Sequence, residues 1–136
     1  MAKIIRIHHV AVAVPEIDEA LGFWRDALGL ELHQVEEVPS QKSTVAFFPT
    51  GESEVELVRP NDAESGLAKF LKEKGPGMHH ICFEVDDLEE MLSELKARGV
   101  RLINETPSVL PGRKMAFLHP KSSGGVLVEL YEIIQV

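Results

Sequence analysis

Two short sequence patterns each occur twice in the chain, in the same order. Ile7-His8-His9-Val10 recurs 71 residues later as Met78-His79-His80-Ile81, and Val55-Glu56-Leu57 recurs 73 residues later as Val128-Glu129-Leu130. The gaps between the copies fall where turns are expected. Such self-similarity indicates that one supersecondary unit has been duplicated, and neither copy is expected to bury its apolar face alone. The duplication therefore predicts two similar modules, each contributing one histidine and one glutamate at matching places.

Each copy is predicted to fold as strand, helix, strand, strand, strand. Period-two alternation of β-branched residues indicates the strands, and apolar residues three or four apart indicate the helices. Asp18 is expected to cap the first helix, which runs to about residue 28, and Asp86 or Asp87 to cap the second. The predicted strands are 4–14, 31–37, 44–49 and 55–59 in the first copy, and 78–85, 101–105, 114–118 and 126–134 in the second.

The predicted fold class is α+β, with two tandem βαβββ modules that form a cupped mixed β-sheet with helices on the outside. A single domain over 1–136 is expected, with module 1 over about 4–60, a linker helix over about 61–77 and module 2 over about 78–134. Gly29 and Gly99 are predicted to end the module helices, since glycine readily adopts the left-handed backbone of a helix end. A chain of 136 residues can bury one sizeable core.

Composition argues against several classes of function. The net charge of −8 offers no basic face for nucleic acid or for an anionic membrane. No run of 18 apolar residues is present, so no membrane-spanning helix is predicted. The N-terminal stretch lacks the apolar segment of a secretory signal. The single cysteine, Cys82, has no partner for an internal disulfide and is expected to be buried in a strand, which agrees with a cytoplasmic location.

Strand alternation selects one histidine and one glutamate in each copy. Side chains two residues apart share a face of a strand, and neighbours point to opposite faces. The large apolar residues of the first strand of each copy are expected to pack under a helix, which sends His9 and His80 to the opposite, helix-free face. Glu56 and Glu129 each stand between apolar neighbours and follow the same rule. His8 is expected on the helix-packed side or at its edge.

These four side chains are hypothesised to bind one divalent metal, provided that the two sheets curve into one concave surface. Two imidazoles and two carboxylates form a borderline-to-hard donor set that suits Mn, Fe, Co, Ni or Zn in an open octahedral site. Such a site leaves two positions for water or for a chelating substrate. A lone histidine in a strand is more often a structural residue, but the duplicated and equally facing positions favour the metal hypothesis.

With these residues in place, the chain resembles the vicinal oxygen chelate (glyoxalase/bleomycin resistance/dioxygenase) superfamily and, within it, the methylmalonyl-CoA epimerases. The resemblance spans about 7–132 and is most specific over 119–130, where the sequence reads His-Pro-Lys-Ser-Ser-Gly-Gly-Val-Leu-Val-Glu-Leu. It implies one metal ion per site, Co²⁺ or Mn²⁺ first, with Ni²⁺, Fe²⁺ or Zn²⁺ as alternatives. The implied ligands are His9, His80 and Glu129, with Glu56 at a fourth position where some members carry glutamine.

The implied activity is that of an isomerase that interconverts (2R)- and (2S)-methylmalonyl-CoA. Loss of the C2 proton gives an enolate, whose charge a metal chelated by the thioester oxygen and the carboxylate would offset. Proton removal and return need a base on each face of C2. Glu129 is the first hypothesis for a base and Glu56 the second. Some members place a carboxylate where this chain has Val45, which cannot act as a base.

Cations near the site are expected to meet the phosphates of an acyl-CoA. Lys42, Arg113, Lys114 and Lys121 lie in predicted turns or strand ends, with solvated surface charge as the alternative for each. Lys121 and Lys114 are the predicted substrate-binding cations, and Gln41 is a further predicted contact. Besides this small-molecule partner, a second copy of the chain is expected, because relatives on this scaffold commonly form homodimers.

Other functions of the same scaffold remain open at this point. A lactoylglutathione lyase would use a similar four-ligand site. An extradiol dioxygenase would typically hold Fe(II) with two histidines and one glutamate, and Glu56 argues against it. A metal-free small-molecule-binding protein would usually lack the ligand set.

Overall fold

The structure is a computed structural model that describes residues 1–135. Within these residues the strands and helices follow the predicted order, with one helix between the two copies. The strands are β1 Ile4–Ala13, β2 Gln34–Val38, β3 Ser43–Thr50, β4 Ser53–Pro60, β5 Gly77–Val85, β6 Ser108–Leu110, β7 Arg113–Leu118 and β8 Val128–Ile133. The helices are α1 Ile17–Leu21, which continues as a π-helical segment over Gly22–Ala27, α2 Gly66–Lys74 and α3 Leu88–Ala97.

The described chain divides into two compact units, residues 9–79 (the first unit) and residues 1–8 with 80–135 (the second unit). The strand order is β2-β3-β4-β1 in the first unit and β6-β7-β8-β5 in the second. In each, the first strand of the copy runs parallel to the last, and the remaining pairs are antiparallel. The predicted α+β class, the two βαβββ modules and the mixed character of the sheet are therefore confirmed.

The start of the chain belongs to the second unit. The backbone N–H of Asp86 donates to the Lys3 carbonyl at 3.1 Å, and Arg6 Nε lies 2.8 Å from a carboxylate oxygen of Glu84. The first half of β1 is therefore held by residues of the second copy. The predicted module limits had placed this segment in the first.

The two module helices begin differently. Asp87 caps α3 as predicted, because its carboxylate accepts the backbone N–H three residues along at 3.0 Å. The prediction for Asp18 is wrong: the N-cap of α1 is Glu16, whose side chain makes no capping hydrogen bond, and Asp18 lies in the first turn, where its charge complements the helix dipole. Gly29 and Gly99 follow the helices with φ of 88° and 84°, as predicted for helix ends.

The strand predicted over 101–105 is wrong. That segment holds only an isolated bridge between Leu102 and Leu118, and β6 lies further along at 108–110. The cause is local: the Asn104 side chain accepts the backbone N–H of Phe117 at 2.8 Å and so replaces a strand partner. The linker helix is also shorter than predicted, since Ser65 caps α2 by accepting the Ala68 N–H at 3.1 Å.

Each unit has an apolar core between its sheet and its module helix. In the first unit Phe48 and Leu57 are fully buried beside α1, and in the second Leu88 and Leu92 of α3 pack against Leu130. Leu57 and Leu130 lie on the face opposite Glu56 and Glu129, as strand alternation predicted. No helix among residues 1–135 is long and apolar enough to cross a bilayer.

Candidate active site

The first unit places His9 beside Glu56. The parallel register of β1 and β4 sets Ala11 opposite Glu56, and His9 shares a strand face with Ala11. His9 Nδ1 lies 3.2 Å from Glu56 Oε2, and the side chains are 1% and 8% exposed. The alternation rule thus selected a histidine and a glutamate that are buried in contact with each other.

The second unit repeats this arrangement. The parallel register of β5 and β8 sets Cys82 opposite Glu129, which is the same offset of two residues between histidine and register partner. His80 Nε2 lies 3.0 Å from Glu129 Oε1, with side-chain exposures of 8% and 2%. The ring of Phe117 packs edge-on against His80 at 5.6 Å between centroids. Cys82 is buried in its strand, as predicted.

The chemistry of these donor pairs fits a metal ion. A buried carboxylate is costly unless a nearby positive charge or hydrogen bonds compensate for its lost hydration. Imidazole nitrogen and carboxylate oxygen are donors that divalent Mn, Fe, Co, Ni and Zn accept. Each unit therefore holds one buried pair that could contribute two ligands to such an ion.

The sheet face that carries His9 and Glu56 is not free of helices, contrary to the prediction. On this face Ala11, Ala13, Val45 and Val58 form a buried cluster. The side chains that pack against it from α2 are Leu67, Phe70 and Leu71. The linker helix therefore covers part of the face that was expected to stay open, and Val45, 5% exposed, supplies no acid or base there.

The neighbours of the two selected histidines have other contacts. The His79 ring packs edge-on against Phe70 of α2, 4.9 Å between centroids. The His8 ring lies 4.8 Å from the ring of Tyr131, at an interplanar angle of 52°. Tyr131 shares its strand face with Glu129, so His8 contacts the site-facing side of the second unit and not the side packed by α3. The segment before His9 pairs with different neighbours from the segment after it, which strand alternation alone could not reveal.

The equivalent face of the second unit is built from strand residues of a different character. Cys82, Met115 and Tyr131 form its buried cluster. The guanidinium of Arg113 lies over the Tyr131 ring, 5.4 Å from its centroid. Sequence reasoning missed Tyr131, although a signal existed: it follows Glu129 by two residues and must share its face.

The structure does not bring Lys114 to this face. Lys114 lies between Arg113 and Met115 on β7 and points the other way, toward α3. Its Nζ lies 2.7 Å from Glu89 Oε1 and 3.9 Å from Glu132 Oε2. The hydrogen bond to Glu89 and the nearby carboxylates raise the pKa of Lys114. This placement favours a surface ion pair over the predicted contact with substrate.

The other two predicted substrate contacts lie in exposed turns. Lys121 belongs to a 3₁₀ turn over Pro120–Ser123, and its backbone N–H donates to His119 Nδ1 at 3.0 Å. Desolvation, followed by the charges of Arg101 and Lys121, lowers the pKa of His119. Gln41 ends a 3₁₀ turn between β2 and β3 of the first unit. Their role in substrate binding stays a prediction.

Comparison with known proteins shows the family to which the chain belongs. The family model described as "Glyoxalase/Bleomycin resistance protein/Dioxygenase superfamily" matches residues 8–117. The methylmalonyl-CoA epimerase of Mus musculus is 40% identical over 130 residues, covering 94% of this chain and 73% of the mouse protein. The crystal structure of methylmalonyl-CoA epimerase from Mycobacterium tuberculosis is 35% identical, with a TM-score of 0.89 over 97% of this chain and 90% of that one. A methylmalonyl-CoA epimerase in complex with methylmalonyl-CoA and NH₄⁺ is 30% identical, with a TM-score of 0.90 over 98% of both chains.

Proposed function

Because the chain belongs to the glyoxalase/bleomycin resistance/dioxygenase superfamily and, within it, to the methylmalonyl-CoA epimerases, we infer that it is an isomerase that interconverts (2R)- and (2S)-methylmalonyl-CoA. The observation that carries this inference is the pair of buried histidine–glutamate contacts, repeated at matching register in both units. Two relatives that share the fold at 35% and 30% identity are methylmalonyl-CoA epimerases, and the structure of the second is a complex with methylmalonyl-CoA and NH₄⁺.

We propose that His9, Glu56, His80 and Glu129 together hold one divalent metal ion, with Co²⁺ or Mn²⁺ as the first expectation. The support is the donor chemistry, the burial of all four side chains and the equal offset of each histidine from its glutamate. A bound divalent ion would supply positive charge beside the thioester oxygen of the substrate.

The proton chemistry is assigned to the two glutamates. The C2 proton of methylmalonyl-CoA is acidified by the adjacent thioester, and inversion requires removal from one face and return from the other. Glu129 is proposed as the base on one face and Glu56 as the base on the other. Both carboxylates lie in buried, apolar surroundings that exclude bulk water, and exclusion of water keeps the transferred proton within the site.

The decisive experiment is hydrogen–deuterium exchange at C2. Purified protein loaded with Co²⁺ or Mn²⁺ is incubated in D₂O with (2R)- or with (2S)-methylmalonyl-CoA, and deuterium at C2 is followed by mass spectrometry or NMR. We expect exchange and interconversion, both lost on chelation and restored by added metal. Absence of exchange with either epimer in metal-loaded protein would exclude the epimerase. Elemental analysis of the purified protein tests the metal separately.

A homodimer and a cytoplasmic location are proposed as well. Ile4, Ile5 and Ile7 at the start of β1 are 55%, 56% and 41% exposed, and an exposed apolar strip of this kind favours association with another surface. Light scattering during size-exclusion chromatography should give a molar mass twice that of the chain, and Ile5→Lys should shift the molar mass toward that of the monomer. Cys82 is the single cysteine of the chain and is buried, so it forms no internal disulfide; this agrees with a reducing compartment, and cell fractionation tests the location.

A further inference from the structure

Arg113 is a cation whose Nε is buried and makes no hydrogen bond within residues 1–135. Two of the other candidate cations have carboxylate neighbours: Lys114 lies 2.7 Å from Glu89, and Lys42 lies 3.5 Å from Asp62. Arg113 instead rests on the ring of Tyr131, whose own ring is 4.8 Å from that of His8. In a chain with a net charge of −8, an arginine that is stacked on an aromatic ring and forms no ion pair with an acid among residues 1–135 is available for an anionic ligand.

The position of Arg113 along the sheet indicates which part of a ligand it would meet. Strand β7 pairs with β8 so that Phe117 is opposite Glu129 and Met115 is opposite Tyr131. Arg113 shares the face of Met115 and Phe117 but lies four residues from Phe117, about 13 Å along the strand. It is the first residue of β7, directly after the turn at Gly112, and so lies at the end of the strand that is remote from Glu129.

We propose that Arg113, oriented by its stacking on Tyr131, binds a phosphate group of the CoA moiety. This inference rests on the proposed function: with the thioester and the malonyl carboxylate expected at the metal, the CoA phosphates are the remaining anionic groups. A guanidinium presents a planar fork of N–H donors that matches phosphate oxygens, and stacking on an aromatic ring limits its rotamers before the ligand arrives. Tyr131 and His8 are positioning residues in this arrangement.

The test compares two substrates that differ only in their phosphates. Methylmalonyl-CoA and methylmalonyl-pantetheine are assayed with the wild-type protein, Arg113→Met and Arg113→Lys. For Arg113→Met we expect KM for methylmalonyl-CoA to rise about 10- to 100-fold, the effect of losing a charge-assisted contact, with kcat little changed. KM for the pantetheine thioester should differ from wild type by about two-fold or less. Arg113→Lys keeps the charge but not the planar fork of donors, so its KM for methylmalonyl-CoA should fall between those of the wild type and Arg113→Met.

The matched control is Arg98→Met, which removes the same charge from an exposed position at the end of α3 and should leave both KM values unchanged. Equal KM increases for the two thioesters in Arg113→Met, or no increase for either, would overturn the phosphate assignment. Thermal unfolding of each variant separates a folding defect from a binding defect.

A binding measurement keeps this inference distinct from the epimerase assignment. Calorimetric titration with coenzyme A requires no turnover. Arg113→Met should weaken coenzyme A binding by a factor similar to its KM increase. Added salt should weaken coenzyme A binding to the wild-type protein more than binding to the variant. If the wild-type protein binds coenzyme A through Arg113 but exchanges no C2 proton, the epimerase assignment fails and the phosphate contact stands. If exchange proceeds and coenzyme A binds equally to wild type and variant, the phosphate contact fails alone.

Discussion

In the first unit the face that carries His9 and Glu56 is lined by alanines and valines packed under α2, whereas in the second unit the equivalent face carries Cys82, Met115 and Tyr131. The histidine–glutamate contact and its register are the same in both. The connection between the last two strands also differs, since it is a two-residue turn in the first unit and nine residues in the second. After duplication, the pair of ligand-competent residues was retained while the surrounding face diverged.

This divergence suggests a division of labour between the copies. Small and branched side chains in the first unit let α2 pack closely against the face that carries His9 and Glu56. Large aromatic and cationic side chains in the second unit offer groups that a ligand can contact.

The largest expected effect is on C2 proton exchange, and it distinguishes the role of Glu129 from that of Glu56. If Glu129 and Glu56 serve opposite faces of C2, Glu129→Gln should lose C2 exchange by about 10²- to 10⁴-fold with one epimer and retain it with the other, and Glu56→Gln should show the reverse. Epimerisation itself should fall in both variants. Exchange in D₂O with each epimer and elemental analysis of the metal provide the measurement.

Glu52→Gln, in the exposed turn between β3 and β4, is the matched control and should keep full activity. A Glu129→Gln variant that retains both its metal and full exchange with each epimer would remove Glu129 from the base role.

The next effect concerns the cores on the helix-packed faces, where the copies are expected to be equivalent. Leu57→Ala and Leu130→Ala alter matching positions that are 0% and 3% exposed, and each should lower the free energy of unfolding by about 2–5 kcal/mol. Chemical denaturation measures both. Val109→Ala, at a position 70% exposed, should change it by about 0.5 kcal/mol or less. A small effect at only one of the two leucines would show that one core is less tightly packed.

A smaller effect tests the unequal helix starts. Asp87→Ala removes a capping hydrogen bond and should cost about 1 kcal/mol of unfolding free energy. Asp18→Ala removes only a charge from the first turn of α1 and should cost about 0.5 kcal/mol or less. Chemical denaturation of the two variants measures both effects. Equal losses of unfolding free energy would mean that Asp18 has a capping role.

The smallest effect belongs to the longer connection of the second unit. His119 should titrate below the ordinary histidine pKa of about 6.5, because desolvation and the charges of Arg101 and Lys121 disfavour its protonated form. The unfolded chain then takes up a proton at higher pH than the native one, so the contribution of His119 to stability is present above about pH 6.5 and is lost as pH falls. NMR titration of the imidazole signals measures the midpoint. Arg101→Gln should raise it, and an unchanged midpoint in that variant would exclude Arg101 as a cause and leave desolvation and Lys121.

Much of the site was predictable because strand alternation and duplication are properties of the chain itself. Period two separated His9 from Val10 and His80 from Ile81, and the helix-packed cores confirm that separation. The strand limits were less predictable. β6 lies further along the chain than predicted, because the Asn104 side chain accepts the Phe117 N–H that a strand over 101–105 would have used. The same alternation places Arg113, and not its neighbour Lys114, on the face that carries Tyr131.

The sequence by itself determined the two βαβββ copies and the one histidine and one glutamate that each sends to the face opposite its helix. Those outcomes depend on local periodicity and on matching positions in a repeat. Only the tertiary structure decided that α2 covers Ala11 and Val45, and that Tyr131 lies between His8 and Arg113. These contacts join residues far apart in the chain, and their energy depends on which apolar and aromatic surfaces meet after the strands have paired, which no local pattern specifies.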